Sequence, residues 1–267
     1  MRNHYRAIDA HIHLDHYEEV DRAPMLQRAF EAGIEAVIAV SMNLTSCKEN
    51  ERLAKQFPGK VHPAYGFHPE QPILSEDEVH KLVAWIREMH AEGESFAIGE
   101  VGLPYYSRTT AEADEVAFDE EPYLVLLDRF AALAAELDRP IVLHAVYEDG
   151  AKACDIMERH QVKRVHFHWF KGDTATVERM IRSGYYISIT PDVAYEDEIR
   201  ELVERYPLEQ MMVETDGPWP FEGPYEGRAT TPEFVHDVCA QIAAIKQLPE
   251  QIVREQLLHN TREFYKL

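Results

Sequence analysis

Eight times along this chain a short, apolar, β-rich segment gives way to a longer stretch whose apolar residues recur at helical spacing, and no feature limits the fold more. The segments are YRAIDAHIHL from Tyr5, EAVIAVS from Glu35, VHPAYGF from Val61, FAIGEVGL from Phe96, PIVLHAV from Pro140, RVHFHWF from Arg164, YYISIT from Tyr185 and MMVETDG from Met211. Between two of them, Leu126, Leu127, Phe130, Leu133, Ala134 and Leu137 form one apolar helical face while Asp128, Arg129 and Glu136 point to water. Strands alternating with helices pair in parallel, and eight such units close on themselves. The expected fold is therefore α/β, a single (β/α)8 TIM-type barrel over residues 1–267, with an extra C-terminal helix opened by Pro249.

Two connections are long: PYYSRTTAEADEVAFDEEP after strand four and PWPFEGPYEGRATTP after strand eight. Both leave the C-terminal ends of strands, where barrel enzymes build their sites.

Opposing 27 Lys and Arg, 48 Asp and Glu give a formal net charge of -21, so the molecule as a whole repels polyanions and no stable binding of duplex nucleic acid is expected. The N-terminal residues lack a signal-peptide apolar core and no run approaches a membrane span, which predicts a cytoplasmic protein without a membrane partner. Cys47, Cys154 and Cys239 stand far apart with no CxxC spacing, and read as plain thiols.

Polar residues recur where a barrel core should be apolar. His11 and His13 stand two apart in the first strand and are expected to share a face with Asp9. Alone, such a pair fits two hydrogen-bonded core histidines as well as a metal site. Glu100 ends strand four, expected on the face of Phe96 and Ile98, and His144, His168 and Asp216 end strands five, six and eight. An isolated buried carboxylate or imidazole is unfavourable unless it is paired or ligating. Six at one rim are hard to satisfy without cations.

Four imidazoles with two carboxylates suit Zn, Mn, Co or Fe better than Ca, and better than Mg, which favours oxygen and retained water. Six ligands exceed what one catalytic zinc takes, so two divalent ions sharing a carboxylate are expected, with Zn, Mn, Co and Mg the candidates. One layer deeper, His166 and Glu214 would orient the ligands from behind, or simply be two buried polar groups that meet water. Paired carboxylates for glycoside hydrolysis, Glu100 with Asp216 or Glu214, would leave four histidines without a role.

The ordered set DAHIHLD, GFHPE, AIGEVGL, PIVLH, HFHWFKG, YISITPDVAY, VETDGP and NTREF resembles the TatD-like metal-dependent hydrolases of the amidohydrolase superfamily, whose best-described members are deoxyribonucleases. The resemblance spans essentially the whole chain. It implies a distorted barrel with His11, His13 and Asp216 on one metal, Glu100 bridging, and His144 and His168 on the second. It places His68 at the pocket rim, in contact with substrate or in a structural role. Three motifs depart from the family's pattern: Pro104 replaces an aspartate, Val146 replaces an arginine, and HWFKG introduces Trp169 and Lys171.

A pair of divalent ions lowers the pKa of a shared water towards ~7, and Asp216, with Glu100 the expected catalytic carboxylate, would take its proton and return one to the leaving group. The leading expectation is phosphoester hydrolysis of a nucleic-acid end or short oligonucleotide, with Lys171, Arg228 and Arg108 forming a small positive region. The main rival is hydrolysis of a small amide, lactone or ester. A metal-loaded scaffold without catalysis is the remote third. Sequence leaves the oligomeric state open.

Overall fold

A computed structural model describes residues 5–267. Eight parallel strands run in sequence order around one sheet: β1 (Ala7–Ile12), β2 (Ile34–Ala39), β3 (Val61–Tyr65), β4 (Ala97–Gly102), β5 (Ile141–His144), β6 (Val165–Phe167), β7 (Tyr186–Ile189) and β8 (Met211–Val213). All eight segments read from the sequence are strands. The described helices are α1 (Glu19–Glu31), α2 (Leu44–Gln56), α3 (Glu76–Ala91), α4 (Tyr105–Ala113), α5 (Glu121–Glu136), α6 (Glu148–Arg159), α7 (Thr174–Arg182), α8 (Asp197–Arg205), α9 (Val235–Lys246) and α10 (Glu250–Tyr265). None is long and apolar enough to cross a membrane.

Each strand sends one set of side chains outward to the helices and the other inward. Ile141, Leu143, Val165, Phe167, Ile187, Ile189, Met211 and Val213 join the large outer core with Leu127, Phe130, Met157 and Met180. Inside, Ala10, Ile38, Ala64, Ala97, Val142 and Met212 pack with Phe264 and Tyr265, which α10 carries in from the chain end. Three of these inner residues are alanines, and small side chains leave room for two aromatic rings. The expected C-terminal helix thus becomes part of the core, entered through Pro249 at its N-cap.

The barrel closes nearly completely. At the seam between β1 and β8, His13 N–H donates to the Gly217 carbonyl at 2.8 Å and Asp216 N–H to the His11 carbonyl at 2.9 Å. Asp9 reinforces it, accepting from Thr215 N at 2.9 Å and Thr215 Oγ1 at 2.6 Å.

Two strands break the simple alternation. In β1, Asp9 stands beside Val37 and Ile12 beside Ala39, so Ala10 and His11 together oppose Ile38. In β4, Ile98 stands beside Ile141 and Val101 beside Leu143, so Gly99 and Glu100 together oppose Val142. An extra residue of this kind bends a strand and re-aims its side chains. Two sequence expectations are corrected here. Asp9 does not share the inward face of His11 and His13, and Glu100 does not lie with Phe96 and Ile98, which pack in the outer core. Gly99 makes the second bulge possible, because its φ is +158° and a Cβ there would approach Val142 Cβ to 2.8 Å.

The long connection after β4 is partly helical, with Tyr105–Ala113 forming α4, whereas the stretch after β8 is irregular apart from short turns at Gly223–Tyr225 and Pro232–Phe234.

Candidate metal centre

At the C-terminal ends of the strands, β1 supplies His11 and leads into His13, β4 supplies Glu100, β5 supplies His144, and the segments after β6 and β8 supply His168 and Asp216. All six are buried. Glu100 lies between two groups. Its Oε2 is 3.1 Å from His11 Nε2 and 3.3 Å from His13 Nε2. Its Oε1 is 3.0 Å from His144 Nδ1 and 2.7 Å from His168 Nε2. Asp216 Oδ1 completes the first group, 3.4 Å from each of the two Nε2 atoms. One carboxylate thus offers a separate oxygen to each histidine pair.

Several of these atoms have no hydrogen-bond partner: His11 Nε2, Glu100 Oε2 and Asp216 Oδ1 are buried and unmatched. Orphaned buried polar atoms are rare and destabilising in a protein interior. A divalent cation fits the set. Donor atoms of His11, His13 and Asp216 all lie within 4.8 Å of one another, as do those of His11, Glu100 and His168, and those of His13, His68 and Glu100.

Without ions the charges compensate one another. Burial opposes the charged form of Glu100, but His168, His68 and His11 outweigh it and hold its pKa well below the usual carboxylate range. Asp216 is likewise depressed: burial opposes its charge, but the nearby His11 and His13 rings outweigh it. Burial disfavours protonated His13, yet Asp216 and Glu100 raise its pKa to about 10.

Behind the cluster stands a carboxylate to which the sequence reading gave no role. Glu70, in GFHPE, places Oε1 3.3 Å from His144 Nε2. It also accepts from Tyr106 N at 2.8 Å and Ser107 N at 2.7 Å, capping the first turn of α4. Burial opposes its charge, but His144 and Ser107 lower its pKa to about 2. A carboxylate on the far nitrogen of a ligating histidine fixes its tautomer and orientation. The signal for Glu70 was its place two residues after His68, but its meaning needed α4.

His68 lies against the cluster, its Nε2 3.5 Å from Glu100 Oε1. Its Nδ1 accepts from Glu70 N at 3.1 Å, so the neutral ring carries its proton on Nε2. Burial lowers its pKa to about 3, with His144, His13 and His168 acting in the same direction against Glu100.

One layer deeper, Glu214 Oε1 accepts from Trp169 N at 2.8 Å and lies 3.7 Å from His168 Nδ1. His166 touches no residue of the cluster by hydrogen bond. Its Nε2 meets Ser188 Oγ at 2.5 Å and its Nδ1 meets Tyr265 OH at 2.8 Å, while Ser188 donates to Glu214 Oε2 at 2.5 Å. Of the two deeper residues, only Glu214 reaches a histidine of the rim.

The cluster opens into a cavity of about 1400 Å³, walled by α4 and by the segment after β8. Lys171 lines it, 5.9 Å from the Trp169 ring. Two other cations expected there lie elsewhere. Arg228 stacks on Phe234 at 4.5 Å and on Tyr225 at 5.4 Å, away from the cavity lining. Arg108 is held by Glu148 at 2.8 Å and Asp149 at 3.0 Å, with Glu120 and Glu112 close by. Guanidinium groups prefer such carboxylate and aromatic partners to open solvent.

Known proteins share this arrangement of chain. A family model described as TatD related DNase matches residues 8–266. An uncharacterized metal-dependent hydrolase from Haemophilus influenzae is 38% identical over 97% of this chain and 99% of its own. The 3'-5' ssDNA/RNA exonuclease TatD of Pantoea sp. is 28% identical over 92% of this chain and 94% of its own. The crystal structure of YjjV, a TatD homolog from Escherichia coli, matches the fold with a TM-score of 0.82 at 24% identity, covering 99% of both chains. With eight parallel strands, a rim of histidines and carboxylates, and a match over nearly its full length, the chain belongs to the TatD related DNase family of metal-dependent hydrolases.

Proposed function

We propose that this hydrolase holds two divalent ions and cleaves phosphoester bonds of a nucleic-acid end or short oligonucleotide. The observation that carries the reading is Glu100, whose two oxygens face two separate histidine pairs. His11, His13 and Asp216 would hold one ion, His144 and His168 the other, and Glu100 both. When bound, such ions supply Lewis acidity and a water acidic enough to serve as nucleophile at neutral pH. Zn, Mn and Co suit this mixed nitrogen and oxygen set, and Mg is the remaining candidate.

The protein's own groups divide the remaining work. Asp216, kept ionised by His11 and His13, is the proton acceptor from the attacking water and the donor to the leaving oxygen. Neutral His68 presents Nε2–H at the cluster's edge, where it can donate to a substrate oxygen. Glu70 and Glu214 keep His144 and His168 in place. Lys171, which lines the cavity, can meet the substrate's charge.

The test offers the purified protein, reconstituted with Mn, Co, Zn or Mg, three substrates: single-stranded DNA, bis(p-nitrophenyl) phosphate, and a panel of lactones and amides. Phosphodiester cleavage that disappears in His144→Ala is the expected result. Turnover of lactones or amides without phosphodiesters would replace this reading by its rival, which is favoured by Lys171 being, among the described residues, the one Lys or Arg that lines the cavity.

A further inference from the structure

The cavity's charge is unusual for a site meant to receive a strand. Among the described residues, Lys171 is the only Lys or Arg lining it, and its charge also acts on the buried Asp192. Asp114, Glu196 and Glu222 line the same cavity. Asp114 follows α4, Glu222 follows β8 and Glu196 precedes α8, so the acidic groups come from three separate connections. Enzymes that track a strand gain affinity from each phosphate they neutralise. Here a second phosphate would meet carboxylates.

The same walls are aromatic. Trp169 is locked at both ends, its backbone N–H bound to Glu214 and its indole N–H donating to Asp192 at 2.6 Å. Trp219 stands against it with ring centroids 5.7 Å apart and is 55% exposed, three residues after Asp216. Tyr106, half exposed, lies 6.0 Å from the His144 ring in the opposite histidine group. Flat aromatic faces therefore flank the cluster from the connections after β4 and β8. Bases stack on such faces without regard to sequence.

We propose that the substrate is a diester of a single phosphate flanked by flat rings, of dinucleotide size, and that the acidic walls select against longer strands. This rests on the phosphoesterase reading of the histidine and carboxylate cluster. The scissile phosphate would take the one place where positive charge gathers. Trp219 and Tyr106 would receive the rings on either side, and Asp114, Glu196 and Glu222 would repel the next phosphate along.

Salt gives the proposal a signed test, because screening weakens repulsion and attraction alike. Reconstituted enzyme is assayed for kcat/KM on the dinucleotide TpT and on dT4 and dT12, at about 20 and about 200 mM KCl. The expected result is a value for dT12 no higher than for TpT at low salt, rising as salt is added. The triple variant Asp114→Asn, Glu196→Gln, Glu222→Gln should raise kcat/KM for dT12 by about tenfold and that for TpT far less, so that the dT12 to TpT ratio rises. Trp219→Ala should raise KM for TpT by about tenfold with kcat nearly kept, as a stacking platform requires.

Activity that grows with each added nucleotide and falls steeply with salt would overturn the length limit while keeping the phosphoesterase reading. An unchanged dT12 to TpT ratio in the triple variant would overturn it too. If no member of the series is cleaved while lactones or amides are, the phosphoesterase reading itself falls, and the length limit with it.

Discussion

His168 and His166 stand two residues apart at the end of β6 and point into the same barrel, yet their surroundings differ in kind. His168 belongs to the rim cluster, where His11 Nε2, Glu100 Oε2, Asp216 Oδ1 and His168 Nδ1 have no hydrogen-bond partner. His166 belongs to a closed string: it bonds to Tyr265 and Ser188, and Ser188 to Glu214, with no atom of the four left over. Burial is nearly the same for both groups. Buried polarity alone therefore does not mark a site. What distinguishes the rim is polarity that the protein itself leaves unsatisfied, since a group held only for structure is completed by its neighbours.

The comparison is broken most directly at Glu100. Glu100→Ala removes the oxygens that face both histidine pairs, and turnover should fall by about a thousandfold or more. Elemental analysis should show less than one ion per chain after reconstitution. Two ions retained would mean that the rim's orphaned atoms serve some other purpose.

Glu214 connects the two groups, so Glu214→Gln sharpens the contrast. Metal affinity at the His144 and His168 pair should weaken by about ten- to a hundredfold, because the carboxylate charge 3.7 Å from His168 Nδ1 is lost. Titration of the chelator-treated protein with Co would follow it spectroscopically, and unchanged occupancy would confine Glu214 to the string below.

Metal binding at the rim should depend on pH. Asp216 and Glu100 raise the His13 pKa to about 10 in the metal-free protein, so an ion ligated by His13 must displace a proton. With the folded pKa raised, the bound proton is present at neutral pH and is lost only as pH climbs towards about 10. Metal affinity should accordingly rise about tenfold per pH unit from 6 to 9 for one released proton. Calorimetry in buffers of different ionisation enthalpy measures that release, and its absence would remove His13 from the ligand set.

The smallest effect is expected in the string. Tyr265→Phe deletes one donor to His166, which should destabilise the fold by about 1 kcal/mol in denaturant titration and leave metal content unchanged. Loss of an ion in this variant would show that the string transmits to the rim.

Much of this was legible in the chain because it depends on local periodicity. Apolar alternation located all eight strands, and Pro249 marked the start of α10. The polar ends of β1, β4, β5, β6 and β8 nominated the six residues that the barrel brings together. Less legible were the places where a strand departs from its period. The pairs Ala10–His11 and Gly99–Glu100 each face a single neighbour, and a period of two cannot express that insertion. Asp9 illustrates the consequence: grouped with His11 by spacing, it instead clasps Thr215 across the barrel's seam.

Long-range partners were the other gap. Nothing near Arg108 or Arg228 in sequence shows that the first is consumed by Glu148 and Asp149 and the second by Phe234 and Tyr225. Glu70 drew no notice until α4 placed two backbone N–H groups beside it. By itself the sequence determined the barrel, its order of strands and the chemical types gathered at one rim, because hydrophobic period and residue identity act locally. Only the tertiary structure decided which oxygen of Glu100 faces which histidines, which polar groups are left without partners, and which cations still face the cavity. Those are matters of direction and distance between residues as much as 206 positions apart, and only chain closure brings them together.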